Sequence, residues 1–428
     1  MAAAVPLGGQ AVRLPRRALV VGLARSGQAA ALALARRGVP TVAADRSPDV
    51  DAGRLAEAGV EVHAGTEEET LLQGVDLLVK SPGVPGESPL PSGARTHGIP
   101  VWSEIELGSR LMRNPIVGVT GTNGKTTTSE LLGAIFRAAD KPVAVAGNVG
   151  RPLTGLDGEL ERDAWIVCEL SSFQLEDIHR FRPRVAVLLN LEPDHLDRHR
   201  TFDAYRDAKL RIFENQTEAD VAIVPRDFGP IPGGAERVEF DAADELPAEP
   251  LIPGAHNREN AAAATAAARA VGIDDAAIAA ALRTFPGVEH RLELVAEVDG
   301  VRYVNDSKAT NTTAARRGIE AYAGTPLRLI MGGSLKGESF DELAESLPSS
   351  VRSIDLIGEA SDALAAALGR AGRLYRRSGD LATAVGAAAG DAEPGDVVLL
   401  APACASYDQF RDYEERGETF RQLVRDLW

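Results

Sequence analysis

Residues 115–130 read PIVGVTGTNGKTTTSE, and few backbones accommodate that order. An apolar run (Ile116, Val117, Val119) meets a glycine-bracketed turn, then one lysine and three consecutive threonines. Gly121 and Gly124 let the backbone, including Thr122 and Asn123, turn its N–H groups toward an anion at a helix N-terminus. Lys125 is then placed to reach β- and γ-phosphates, and the Thr126 hydroxyl to hold Mg²⁺. The spacing is tighter than in the common GxxxxGK[ST] loop, but the order of roles is the same.

The same succession of strand, loop and helix recurs along the chain in three segments, which predicts an α/β fold with largely parallel sheets. In the first, RALVVGLARSG runs into Gly22 and Gly27, a helix follows, and a second strand ends at Asp45. This is a degenerate dinucleotide-type turn, with Ala24 at the middle glycine position. VDLLVKSPGVP adds a strand ending in a Ser81-Pro82-Gly83 turn, and the segment closes near Ser103. In the second segment, HNRENAAAATAAARAVG reads as a helix with Asn257 as N-cap and Gly272 as its stop. A boundary falls near Val288. In the third, VRYVNDSKATN, LRLIMGGSLKG, VRSIDLIGEAS and DVVLLAPACASYDQF are predicted strands running into loops, and YDQFRDYEERGETFRQLVRDLW is the closing helix. Domains are accordingly expected at 1–103, 104–287 and 288–428.

A net charge of −16 argues against a nucleic-acid partner or an anionic membrane surface. Cys168 and Cys404 form no CxxC pair, which fits a reducing cytoplasm. No apolar stretch reaches membrane-span length, and the first residues lack a signal-peptide core. Nothing in the sequence requires more than a monomer. Only six of the 46 basic residues are lysine (80, 125, 141, 209, 308 and 336). Arginine cannot lose its proton and react as lysine can, so the few lysines attract notice.

Glu169 ends the strand AWIVCEL, where it would present an acid to phosphates on the neighbouring loop. EPDHLDRH supplies Asp194, His195, Asp197 and His199; alone it fits a zinc site, a Mg²⁺-nucleotide role or a helix surface. The phosphate loop in the same segment favours Mg²⁺.

GTNGKTT, CELSSFQLE, DHLDRH…YRDAKLRIF, HNREN, HRLE, NDSKATN, GGSLKG and APACASYDQF together resemble the Mur ligases of peptidoglycan synthesis. SSFQLE, NDSKATN and PACASYDQF point within that family to the branch that adds D-glutamate. The resemblance implies three domains: a Rossmann-like N-terminal one, a central P-loop ATPase-like one with a parallel or mixed sheet, and a Rossmann-like C-terminal one. It implies an enzyme that joins D-glutamate to UDP-N-acetylmuramoyl-L-alanine through an acyl phosphate made with ATP. Catalysis would rest on Lys125, His195 and Lys209. Gly121, Thr122, Asn123, Gly124, Lys125, Thr126 and Thr127 would bind ATP, with Asn257, Asn260, Arg291, Asp306 and Lys308. Thr126 and Glu169 would serve one Mg²⁺, and His195 and Lys209 a second. An ammonium would repel that ion, so Lys209 is expected as its carbamate. Arg25, Ser26, Asp45, Arg46, Ser81, Pro82, Gly83 and Asn148 would hold the UDP substrate, although GLARSG and ADRS follow the family only in outline. Thr310, Lys336, Ser406 and Tyr413 would take D-glutamate. The competing expectations are another Mur-type or folylpolyglutamate-type amide ligase, and a P-loop regulator without ligation.

Overall fold

The structure, a computed structural model, describes residues 14–428 apart from Lys336, Glu338 and the side chain of Asp197. The signal-peptide reading of the first residues and the D-glutamate role of Lys336 lie outside the described residues.

Three sheets form, their central strands from short apolar runs. The first contains β1 (Ala18–Val21), β2 (Thr41–Asp45), β3 (Glu61–Ala64), β4 (Leu77–Lys80) and β5 (Val101–Ser103), all parallel in the order β3-β2-β1-β4-β5. The second contains β6 (Ile116–Thr120), β7 (Val143–Gly147), β8 (Trp165–Glu169), β9 (Val185–Leu188), β10 (Val221–Pro225) and β11 (Glu236–Phe240). It too is wholly parallel, in the order β11-β10-β9-β6-β8-β7. Strands β1, β6 and β9 are buried along their whole length, as parallel strands covered on both faces must be. Continuous apolar runs rather than alternation are therefore their signature, and each buried Leu or Val contributes about 1.5–3 kcal/mol.

The third sheet contains β12 (Glu293–Val298), β13 (Val301–Asn305), β14 (Leu327–Gly332), β15 (Val351–Ile357), β16 (Arg376–Gly379) and β17 (Val397–Leu400). Its order is β12-β13-β17-β14-β15-β16, and it is mixed, because β12 and β13 pair antiparallel. The chain divides into two compact units. One runs to Glu249 and includes Glu259–Arg283; the other comprises Pro250–Arg258 and Thr284–Trp428. The first unit carries the first two sheets and the second unit carries the third.

Within the first unit the helix Glu104–Leu111 joins its two sheets. Ser103 caps it by accepting the Glu106 amide. The buried Glu106 carboxylate accepts the amides of His179, Arg180 and Phe181, and Glu104 Oε1 accepts the Thr154 amide and hydroxyl at 2.6 and 2.7 Å.

Two sequence-based expectations need correction. The alanine-rich helix spans Ala255–Ala270, so Asn257 sits inside its first turn rather than at the N-cap, and its Nδ2 donates to Pro253 O at 2.6 Å. The closing helix begins at Tyr413 rather than at Tyr407. Asp412 accepts the Glu415 amide as its cap, a stronger start signal than the polar residues before it.

Candidate active site

In the second sheet, chain connections diverge on either side of β6, and the loop 121–124 leaves its C-terminal end. Ligands of open parallel sheets bind at such a switch point. Gly124 has φ +82° and precedes the helix Lys125–Ala138. A Cβ there would lie 2.1 Å from Asn260 Oδ1, so both the conformation and the close approach require glycine. Asn260 thereby stands directly against the phosphate loop, and Thr126 and Thr127 are buried in the helix's first turn.

The loop is braced by residues the sequence reading did not single out. Asn190, just beyond β9, exchanges hydrogen bonds with Asn123: its Oδ1 accepts the Asn123 amide at 2.9 Å and its Nδ2 donates to Asn123 O at 3.2 Å. Thr122 Oγ1 lies 2.9 Å from Tyr205 Oη and accepts the Glu192 amide at 3.0 Å. The polar Asn closing an apolar strand was the available signal for Asn190. Tyr205 is one helical turn before Lys209, on the same face.

Two lysines converge on this loop. Lys125 Nζ donates to Gly121 O at 2.9 Å and Thr122 O at 2.8 Å. Lys209 Nζ, buried, donates to the same Gly121 O at 2.8 Å. Burial, with the Lys125 charge second, pushes the Lys209 amine down to about 6, against the opposing carboxylates of Asp194 and Glu169. The two lysine nitrogens meet at one carbonyl, and the Lys125 charge helps burial to keep Lys209 a neutral amine.

Glu169 is buried beside β6, in register with Val119, and Asn148 Nδ2 donates to its Oε1 at 3.1 Å. His195 is exposed, has φ +51°, and lies with its ring 5.0 Å from that of Phe173. His199 does not join it: its Nε2 is 2.9 Å from Ser172 Oγ and its Nδ1 faces Glu176 at 3.6 Å. The zinc alternative for this pair therefore fails, and among the described residues no group of three His, Cys, Asp or Glu could hold a metal.

The first sheet carries a cavity of about 320 Å³ at the switch point between β1, β2 and β4. Arg25, Ser26, Asp45, Arg46, Ser81, Pro82, Gly83 and Asn148 all line it, joined by Glu67 and Ser88, which the sequence did not indicate. Asp45 is already engaged: its carboxylate accepts the Leu23 amide at 2.6 Å and the Ser47 amide at 2.8 Å. It shapes the turn that replaces the glycine-rich one. Gly27 packs so tightly that a Cβ would stand 1.8 Å from Gly22 O.

In the second unit the residues assigned by resemblance gather after β13 and β17. Asp306 is buried, its Oδ1 accepts the Leu292 amide at 3.2 Å, and burial pushes it up to about 7 against the lowering charge of Arg291. Lys308 lies over the Tyr413 ring at 5.6 Å, and the Thr310 amide donates to Lys308 O. Ser406 is buried at the end of the β17 loop. Arg416, fully buried and absent from the sequence-based set, donates to Ser307 O and Cys404 O at 2.9 and 3.1 Å and so ties the two loops together.

A parallel sheet with a glycine-turn phosphate loop at its switch point defines a phosphate-binding α/β protein of the P-loop type. The chain matches three domain families: the Mur ligase MurD-like N-terminal domain over residues 16–103, the Mur ligase middle domain over 119–230, and the Mur ligase glutamate ligase domain over 290–404. It belongs to the Mur ligase family, whose members are ATP-dependent ligases that use Mg²⁺. It is 43% identical to the UDP-N-acetylmuramoylalanine–D-glutamate ligase of Acidobacterium capsulatum, over 96% of each chain. It is 44% identical to the enzyme of that name from Anaeromyxobacter dehalogenans, over 96% of this chain and 97% of the other. The fold is shared with the MurF ligase of Thermotoga maritima in complex with ADP, with a TM-score of 0.61 at 17% identity, over 90% of this chain and 95% of that one. Among the described residues no helix is long and apolar enough to cross a membrane.

Proposed function

We propose that this chain is the D-glutamate-adding ligase of its family, acting in the cytoplasm on UDP-N-acetylmuramoyl-L-alanine. The observation that carries the reading is the pairing, in one compact unit, of the 320 Å³ cavity with a phosphate loop on which two lysines converge. The near-full-length similarity to ligases of that name supports the choice of substrate. Domain limits at 103/104 and 287/288 belong to the same reading.

In this mechanism the L-alanyl carboxylate oxygen attacks the γ-phosphorus of ATP, ADP leaves, and an acyl phosphate forms. The D-glutamate amine then attacks the acyl carbon, phosphate departs, and the nitrogen loses a proton. Lys125 and the loop amides stabilise charge on the phosphoryl oxygens in flight. Thr126 and Glu169 would hold one Mg²⁺, and His195 with a carbamylated Lys209 a second. Bound there, Mg²⁺ would neutralise phosphate charge and orient its oxygens. The low proton affinity of Lys209 supports the carbamate, because a neutral amine is the form that adds CO₂. Asn257, Asn260, Arg291, Asp306 and Lys308 complete the ATP contacts. Thr310, Lys336, Ser406 and Tyr413 receive D-glutamate.

Phosphate release measured with ATP, Mg²⁺ and UDP-N-acetylmuramoyl-L-alanine, with and without D-glutamate, tests the reading. Release that depends on D-glutamate and yields the ligated product is expected. Release supported equally by other amino acids would assign a different amide ligase, and no substrate-dependent release would leave only a nucleotide-binding protein.

A further inference from the structure

The loop that walls the substrate cavity and the His195 turn are joined directly by one side chain, that of Arg198. The Arg198 guanidinium donates from Nη1 to Pro82 O at 2.9 Å and from Nη2 to Val84 O at 2.8 Å. Both carbonyls belong to the loop that walls the cavity beyond β4. Arg198 itself sits in the short helix Leu196–His199, immediately after His195. Its side chain is 16% exposed, and the guanidinium lies 4.2 Å from the Phe173 ring centroid.

This segment needs external support. His195 and Arg200, at its two ends, have φ +51° and +66°, a region that residues other than glycine occupy at a cost. Glu176 adds a second layer, with Arg198, Lys80 and His199 nitrogens at 3.9, 3.7 and 3.6 Å from its carboxylate. Lys80, fully buried at the end of β4, also donates to Val84 O at 3.2 Å and pairs with Asp177 at 3.2 Å. The carbonyl of Val84 is thus gripped by Lys80 from β4 and by Arg198 from the helix Leu196–His199. Two carbonyls two residues apart match the two prongs of a planar guanidinium, whose rigid fork fixes them more closely than an ammonium on a flexible stem.

We infer that Arg198 is a positioning residue that holds the substrate-cavity loop and the His195 turn in one register. A substrate seated in the cavity is thereby delivered to the phosphate loop at a fixed offset. Misplacement by about 1 Å can cost roughly 10²-fold in rate when two reactants must meet. The inference rests on the functional reading above.

The test compares wild type with Arg198→Lys and Arg198→Ala, reading melting temperature, ADP affinity, KM for UDP-N-acetylmuramoyl-L-alanine, and kcat. Both variants should melt close to wild type and bind ADP within about two-fold. The lysine variant should lose roughly 10- to 100-fold in kcat with a raised KM for the UDP substrate, because its charge remains but its fork is gone. Millimolar guanidinium should partly restore the alanine variant and leave the lysine variant unchanged. Kinetic constants within two-fold of wild type in both variants would overturn the inference. So would an equal weakening of ADP and UDP-substrate binding with a large fall in melting temperature, which marks a merely structural side chain. A wild-type enzyme that releases no phosphate with the UDP substrate overturns the functional reading, and this inference with it.

Discussion

Lys125 and Lys209 both donate to the carbonyl of Gly121. On the proposed reading of Lys209 as a carbamate, Lys209→Ala should abolish most turnover, and short carboxylic acids such as acetate should partly restore it by supplying the missing oxygen. Full activity in the unsupplemented variant would show that no carbamate is needed. Lys125→Ala should lower kcat by roughly 10²–10³ while raising the KM for ATP far less, since the proposed role sets its charge against the transferring phosphoryl group. Weakened ATP binding with unchanged kcat would assign it uniform binding only. Glu104 offers a test of stability. Burial, outweighing the Thr154 hydrogen bonds, raises it from 4.5 to about 7. The folded state therefore holds an extra proton between those values. That contribution is fully present below about pH 4.5 and is lost as pH rises through about 7. Glu104→Gln keeps an acceptor for Thr154 and removes the titration. Its melting temperature relative to wild type should rise between about pH 4.5 and 7 and level off above that, and a flat difference would refute the assignment.

At the level of elements, the cavity in the first sheet depends on how closely the helix Arg25–Arg36 approaches β1. Gly27→Ala puts a carbon against the backbone oxygen of Gly22, which cannot swing aside, so the helix must shift. The expected cost is about 1–3 kcal/mol of stability, with a loss of UDP-substrate affinity that exceeds any loss for ATP. Direct binding measurements on both ligands check this. Short apolar runs made most strands legible, and glycine with lysine made the phosphate loop legible. The hairpin β12–β13 was missed although its turn, Asp299-Gly300 with both φ positive, carries a recognised hairpin signal. Its strand β12 is half exposed and charged, so no apolar run announced it. Arg416 was missed for the opposite reason. It falls in the spacing of buried Phe420 and Val424 on the closing helix, and a charge at a core position reads as surface. Only its hydrogen bonds to loop carbonyls explain why burial is tolerated, with its proton affinity lowered to about 10.

For the whole molecule, the residues proposed for the reactants are divided between the two compact units. The phosphate loop, Glu169, His195, Lys209 and the substrate cavity belong to the first, while Thr310, Lys336, Ser406 and Tyr413 belong to the second. Lys336→Ala should therefore raise the KM for D-glutamate steeply, leaving affinities for ATP and the UDP substrate nearly intact. A loss of about 2–5 kcal/mol is expected if the lysine pairs with a buried carboxylate. Equal weakening for all three substrates would make Lys336 structural. What the sequence determined by itself were the local patterns: the apolar runs of the buried strands, the alternation of strands with helices, and the glycine turns. Such patterns depend on neighbours along the chain, so they can be read there. Which of two histidines four residues apart faces solvent, how two lysines come to share one carbonyl, and how Arg198 grips a loop more than a hundred residues away were decided only by the tertiary structure. Those features depend on burial and on partners brought together by the sheets, and no local spacing encodes them.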